Sequence, residues 1–296
     1  MNLQTMTDRI ASAQGFIAAL DQSGGSTPKA LHGYGVADGD WSSEDEMFAQ
    51  IHAMRARVIT SPCFGSGKVI GAILFEKTMD GVVDGVSTGD ALKARGIVPF
   101  IKVDQGLSDE ADGVQLMKPL TKLPELLEKS LAAGMFGTKM RSVIKSANPA
   151  GIAAIVAQQF DVARQIIAAG LMPILEPEYD ITAADRPAGE AMLLAEISRQ
   201  LEALPDGQQV MLKLSIPATA GLYTPLTQHP KVLRVVALSG GFSTDDACSQ
   251  LARNPGMIAS FSRGLLQDLR KGQSDKEFDA VLGKAIDQIA SASVAG

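Results

Sequence analysis

From Phe16 onward, short apolar runs that stop at polar residues alternate with longer amphipathic stretches, and this alternation leaves few architectures open. Strands are predicted over 16–20, 71–75, 97–103, 135–139, 171–175, 210–214, 232–238 and 257–261, with helices between them over 123–133, 149–169, 187–204 and 244–253. A last helix is predicted over 275–290. Asn148 ahead of Pro149, and Ser243 ahead of Asp245 and Asp246, are residue types that start helices. Strand and helix repeated to a count of eight favour a closed (β/α)8 barrel with a C-terminal helix over an open doubly wound sheet. The 296 residues carry no low-complexity tract that would divide them, so a single domain over 1–296 is expected.

Composition narrows the function. A net charge of −6 argues against nonspecific binding to nucleic acid or to an anionic membrane surface. No apolar stretch is long enough to span a bilayer, and the N-terminus shows no basic-then-apolar leader pattern. Cys63 and Cys248 are too few for a disulfide framework, which suits a reducing, cytoplasmic setting. His32, His52 and His229 are too scattered to suggest a metal site, so no metal is expected. Gly65-Ser66-Gly67 precedes the second strand, where a dinucleotide loop should follow one. Glu76-Lys77-Thr78 reads as a charged strand end.

In a (β/α)8 barrel the reactive residues stand at the C-terminal ends of the strands. Asp21 follows the first strand and Lys102 closes the third. Lys139 and Arg141 share one face at the end of the fourth, as do Glu176 and Glu178 after the fifth. Ser239-Gly240-Gly241 follows the seventh strand and Ser262-Arg263-Gly264 the eighth. Asp21, Glu176 and Glu178 face Lys102, Lys139, Arg141, Lys213 and Arg263, an excess of cations that suits a doubly phosphorylated or otherwise dianionic substrate. The Ser-Gly-Gly turn offers backbone N–H groups near the start of a helix, a fitting place for a phosphate.

Lys213 is the unusual member. In Val210-Met211-Leu212-Lys213-Leu214 it shares a face with Met211, where a core side chain should be. A lysine there either extends its head out of the strand end, pairs with a carboxylate, or serves as an amine nucleophile that condenses with a carbonyl. Attack requires the neutral amine, a state that desolvation and cations such as Lys139 favour.

With these residues placed, the chain resembles the class I, Schiff-base-forming fructose-bisphosphate aldolases, with features of their bacterial branch. The resemblance rests on Ala19-Leu20-Asp21-Gln22-Ser23-Gly24-Gly25-Ser26, Ala72-Ile73-Leu74-Phe75-Glu76, Ile101-Lys102-Val103-Asp104 and Thr138-Lys139-Met140-Arg141. It continues through Pro173-Ile174-Leu175-Glu176-Pro177-Glu178, Leu212-Lys213, Leu238-Ser239-Gly240-Gly241 and Ser260-Phe261-Ser262. It implies reversible cleavage of fructose 1,6-bisphosphate to two triose phosphates, with a covalent imine on Lys213 and no other cofactor. It further implies that Asp21 takes the hydroxyl proton, that Glu176 is the acid–base of imine formation, that Lys139 assists proton transfer and that Glu178 belongs to the same group. Ser23, Ser26, Lys102 and Arg141 fall where the distal phosphate is held, and Ser239, Gly240 and Gly264 where the proximal one is. Ala30 and Leu265 stand where the family has arginines, which leaves Arg263 as the nearby substitute at the proximal phosphate. The family's terminal tyrosine has no counterpart in Ser293-Val294-Ala295-Gly296. A transaldolase-like transferase and a non-catalytic phosphosugar-binding protein are the alternative readings, and a homo-oligomer is compatible with all three.

Overall fold

A computed structural model describes residues 1–295. Eight parallel strands follow one another around a barrel: β1 (Phe16–Leu20), β2 (Val69–Leu74), β3 (Val98–Lys102), β4 (Gly137–Ile144), β5 (Met172–Tyr179), β6 (Val210–Ser215), β7 (Val232–Leu238) and β8 (Met257–Ala259). Each pairs with its sequence neighbour, and the Ala19 N–H donates to the Phe261 carbonyl at 3.3 Å, drawing β1 against the end of β8. This is the expected (β/α)8 barrel, and the C-terminal helix, Asp275–Val294, packs against β8.

Two apolar populations hold it together. Outward-facing residues such as Leu20, Leu74, Leu175, Leu212 and Ala237 merge with the helices into one core, as strands covered on one face by helices must. Inward-facing Ile17, Ile73, Phe100, Ile174, Met211, Val236 and Ile258 fill the barrel itself. Helix α1 (Leu3–Ser12), which the alternation pattern does not announce, seals the bottom by adding Met6 and Ile10 to that filling. The side chain of Asn2 starts it by accepting the Thr5 N–H at 2.9 Å.

Two further departures from the sequence expectation bear on the site. Strands β4 and β5 run five and four residues past their predicted ends, 139 and 175, to Ile144 and Tyr179. The charges that looked like stop signals face one another across these strands, where Arg141 is the register partner of Glu176. Glu76-Lys77-Thr78 is a turn of helix, Glu76–Met79, and not a strand end. Helical turning sends Glu76 out to Lys129 and Lys77 out to Asp45 while Thr78 points inward, a division that two-residue alternation along a strand cannot supply.

Candidate active site

The barrel filling ends in apolar residues, and the position two further along each strand begins the site. Ile17 is followed on its face by Ala19 and Asp21, Phe100 by Lys102, Gly137 by Lys139 and Arg141, Ile174 by Glu176 and Glu178, and Met211 by Lys213. Period-two alternation therefore brings five strands' polar residues to one mouth. They line a cavity of about 460 Å³ that Ser239, Gly240, Ser260, Ser262 and Arg263 complete from the far side.

At its floor lies an ion chain. Lys213 is 4% exposed, and its Nζ sits 3.1 Å from Glu176 Oε1. Glu176 Oε2 lies 3.0 Å from Lys139 Nζ, which reaches Asp21 Oδ2 at 2.7 Å and Asp104 Oδ2 at 3.7 Å. Asp104 in turn holds Lys102 at 2.7 Å, so the chain runs without a break from the nucleophile candidate to the rim. The sequence reading puts Asp21 and Glu176 on separate strands as separate acid and base; the structure keeps them separate but joins both to one ammonium.

Electrostatics follow from that geometry. Burial by itself would push Asp21 up, but the charges of Lys139 and Lys213 and the hydrogen bond from Lys139 outweigh it and hold this carboxyl well below the usual range. Burial works the other way on Lys139, and the charges of Asp21, Glu176 and Asp104 overcome it, keeping this lysine protonated far into alkali. Lys139 is thus a fixed cation and Asp21 a fixed anion.

The remaining predicted residues divide. Arg141 is ion-paired with Glu178, and Lys102 with Asp104, so both rim cations have carboxylate partners on the same mouth. Ser23 and Ser26 sit together at the start of α2 (Ser26–Tyr34), the Ser23 N–H donating to Ser26 Oγ at 3.0 Å. Ser239 and Gly240 line the cavity. Gly241, next in the turn, would carry a Cβ 3.8 Å from Arg263 Nη2, which places the guanidinium beside the Ser-Gly-Gly turn. Gly264 does not line this cavity: a Cβ there would lie 3.1 Å from Thr244 Oγ1, outside the barrel mouth. Tyr34, Tyr179 and Tyr223 are all buried in the outer core and supply no phenol to the site.

Three participants escape the sequence reading as individual site residues. Asp104 makes the mouth's balance four carboxylates, with Asp21, Glu176 and Glu178, against the same five cations, and so trims the cationic excess. Its signal was position, two residues past Lys102. Gln22 joins Ser262 through its side-chain amide. Arg55 of helix α3 (Glu44–Thr60) is fully buried behind the rim and donates to the Gln22 carbonyl at 2.6 Å. Among the described residues no cluster of His, Cys, Asp and Glu is arranged to hold a metal ion, and no helix is long and apolar enough to cross a membrane.

Comparison with known proteins bears on the same residues. The family model for fructose-bisphosphate aldolase class-I matches residues 2–185, which carry Asp21, Lys102, Asp104, Lys139, Arg141, Glu176 and Glu178. Among solved structures, a fructose-bisphosphate aldolase from Plasmodium falciparum superposes with a TM-score of 0.77 at 21% identity, covering 99% of this chain and 94% of its own. An archaeal fructose-1,6-bisphosphate aldolase, solved with its catalytic lysine covalently bound to the carbinolamine intermediate, gives 0.52 at 12% identity over 98% of this chain and 100% of its own. A protein from Corynebacterium glutamicum gives 0.55 at 15% identity, over 98% and 92%. At such identities these structures speak for the shared barrel.

Proposed function

Because the chain belongs to the class-I fructose-bisphosphate aldolase family, we propose that it reversibly cleaves fructose 1,6-bisphosphate to dihydroxyacetone phosphate and glyceraldehyde 3-phosphate through an imine on Lys213. The observation that carries the reading is the buried contact of Lys213 with Glu176 at 3.1 Å, continued through Lys139 to Asp21 at 2.7 Å. Nucleophile and acid–base on two strands and the general base just beyond a third stand within one ion chain.

In this reading the Lys213 amine adds to the ketone carbon, and Glu176 delivers the proton with which the carbinol oxygen leaves as water. The protonated imine is the electron sink. Asp21 removes the proton from the hydroxyl on the far carbon of the bond to be broken; that oxygen becomes the aldehyde carbonyl. The electron pair of the broken carbon–carbon bond enters the imine, giving an enamine on Lys213. Glyceraldehyde 3-phosphate departs, the enamine carbon takes up a proton, and water hydrolyses the imine to release dihydroxyacetone phosphate and the free amine. Lys139 stays protonated throughout and stabilises the carboxylates on either side of it.

Ser23, Ser26, Lys102 and Arg141 take the distal phosphate in this assignment. Ser239, Gly240 and Arg263 take the proximal one, with Gly264 behind them supporting the loop. The setting is the cytoplasm and the partners are phosphorylated sugars. Borohydride added with dihydroxyacetone phosphate tests the mechanism: it should inactivate the protein and leave a reduced three-carbon adduct on Lys213, and Lys213→Met should take no label. An adduct on Lys139 or Lys102 would overturn the assignment. Free triose phosphate released without an acceptor sugar separates cleavage from transaldolase-like transfer, and binding of the bisphosphate without turnover would mark a non-catalytic protein.

A further inference from the structure

Asp21 and Gln22 lie just beyond β1, at the seam where the barrel closes on itself. The β1 ladder ends at Leu20, so the backbone that aims Asp21 needs support from elsewhere. Arg55 supplies it from behind. Its Nη2 donates to the Gln22 carbonyl at 2.6 Å and to Gln22 Oε1 at 3.2 Å, while Nη1 donates to Thr78 Oγ1 at 2.7 Å. One guanidinium thereby joins the segment after β1 to the helical turn after β2. The Gln22 amide extends the link to Ser262, beyond β8, and to the Ala19 carbonyl at 3.4 Å.

The choice of residue is informative. Arg55 is 0% exposed, and its hydrogen-bonding partners are a carbonyl, an amide and a hydroxyl, none of them charged. Three neutral acceptors could be served by neutral donors, and a buried cation without a carboxylate partner is costly to keep. Burial draws its pKa down to about 10, and the charge that opposes the shift is that of Asp21. The planar fork explains why it is an arginine: it reaches two segments at once, which an ammonium cannot do with the same fixed geometry.

We infer that Arg55 is a positioning residue of the reaction, holding the Gln22 backbone so that the adjacent Asp21 is aimed at the hydroxyl proton of the bond to be cleaved. The inference rests on the imine reading above. It separates two halves of the reaction: imine formation depends on Lys213 and Glu176, which Arg55 does not touch, while bond cleavage depends on Asp21, one residue from the clamp.

The test uses the full chain as wild type, Arg55→Lys and Thr78→Val, each checked for folding by its thermal melt. Two rates are read: borohydride trapping of Lys213 with dihydroxyacetone phosphate, and steady-state cleavage of fructose 1,6-bisphosphate. Arg55→Lys should lower kcat for cleavage about 10- to 100-fold, the loss typical of a misaimed reacting group, with KM and the trapping rate within about threefold of wild type. Thr78→Val frees one arm of the fork while keeping the charge. It should lower kcat by a smaller factor with trapping again spared, and it carries the test if the lysine variant does not fold. Parallel loss of trapping and cleavage in a folded variant would show general loosening of the barrel mouth and overturn the inference, as would an unchanged kcat in both variants. Failure of the wild type itself to be trapped would instead overturn the imine reading on which the inference rests.

Discussion

Replacing Lys139 by methionine is the most revealing perturbation of the ion chain. Its ammonium is the common partner of Asp21, Glu176 and Asp104, at 2.7, 3.0 and 3.7 Å. Glu176 retains Lys213 and Asp104 retains Lys102, but Asp21 has no other ion-pair partner among the described residues. Removing one member of a buried pair costs about 3–5 kcal/mol, chiefly through the charge left behind. With an unfolding entropy of about 2.1 cal/mol/K for each of the 296 residues, or about 0.6 kcal/mol/K in all, Tm should fall by about 5–8 °C. The pH dependence should also change sign. In the wild type the Asp21 carboxyl is held below its ordinary value, so its stabilisation is complete above about pH 4 and is lost as pH falls through the folded value. In Lys139→Met burial dominates and raises that carboxyl, so acidifying from pH 7 towards about 4 should relieve the defect. Urea unfolding from pH 7 down to about 3 covers both slopes, the variant's above about pH 4 and the wild type's below it, and Asp21→Asn added to Lys139→Met should recover about 2 kcal/mol or more at pH 7. A loss under about 1 kcal/mol, or a double variant no more stable than Lys139→Met alone, would refute the view that Lys139 neutralises a buried Asp21.

What the amino-acid pattern revealed, and what it hid, has a physical basis. Barrel strands are covered inside and out, so each reads as a continuous apolar run, and a charge breaking such a run is conspicuous. That is how Lys213, Lys139 and Lys102 could be recognised beside Asp21 and Glu176. The same logic misjudged the ends of β4 and β5, because Arg141, Glu176 and Glu178 stay inside the strands and neutralise one another across the register. Pairing between distant segments leaves no trace in a local window. Asp104 is inconspicuous for a related reason: it lies in an irregular segment, and its importance comes from reaching both Lys102 and Lys139. Arg55 shows the limit most clearly. In Ala53-Met54-Arg55-Ala56-Arg57 it looks no different from Arg57, yet Arg57 is partly solvent-exposed and pairs with Asp275 while Arg55 is wholly enclosed behind the site. Helix α1 hides differently: Leu3, Met6 and Ile10 recur at helical spacing, but they lie ahead of the strand–helix alternation that begins at Phe16.

Two predictions concern the proximal phosphate turn. Gly240 has φ +60° and an added Cβ would lie 2.6 Å from Ile181 Cγ2, so Gly240→Ala should cost about 1–2 kcal/mol in urea unfolding from backbone conformation alone and weaken dihydroxyacetone phosphate binding besides. An unchanged unfolding midpoint would mean that the turn relaxes freely. Arg263 poses the sharper question. The obvious alternative role for an exposed arginine here is a surface pair with Asp268, but no such pair forms: among the described residues Arg263 has no carboxylate within 4.0 Å. Its Nη2 lies instead 3.8 Å from the Cβ position of Gly241, and it lines the same cavity as Lys213 and Ser239. Lys102 and Arg141 face the other side of the mouth with carboxylates already on them, so Arg263 is the cation there whose charge is not already matched. A guanidinium–phosphate contact contributes about 1.5–3 kcal/mol, which is roughly ten- to a hundredfold in affinity. Arg263→Ala should therefore weaken dihydroxyacetone phosphate binding by that factor and leave the reaction with unphosphorylated dihydroxyacetone nearly unchanged. The comparison between the two ligands matters more than either value, because the phosphate is their only difference. Equal losses would indicate a disturbed loop after β8, and no loss for either would assign the phosphate to the backbone N–H groups of the Ser239-Gly240 turn without help from a side-chain cation.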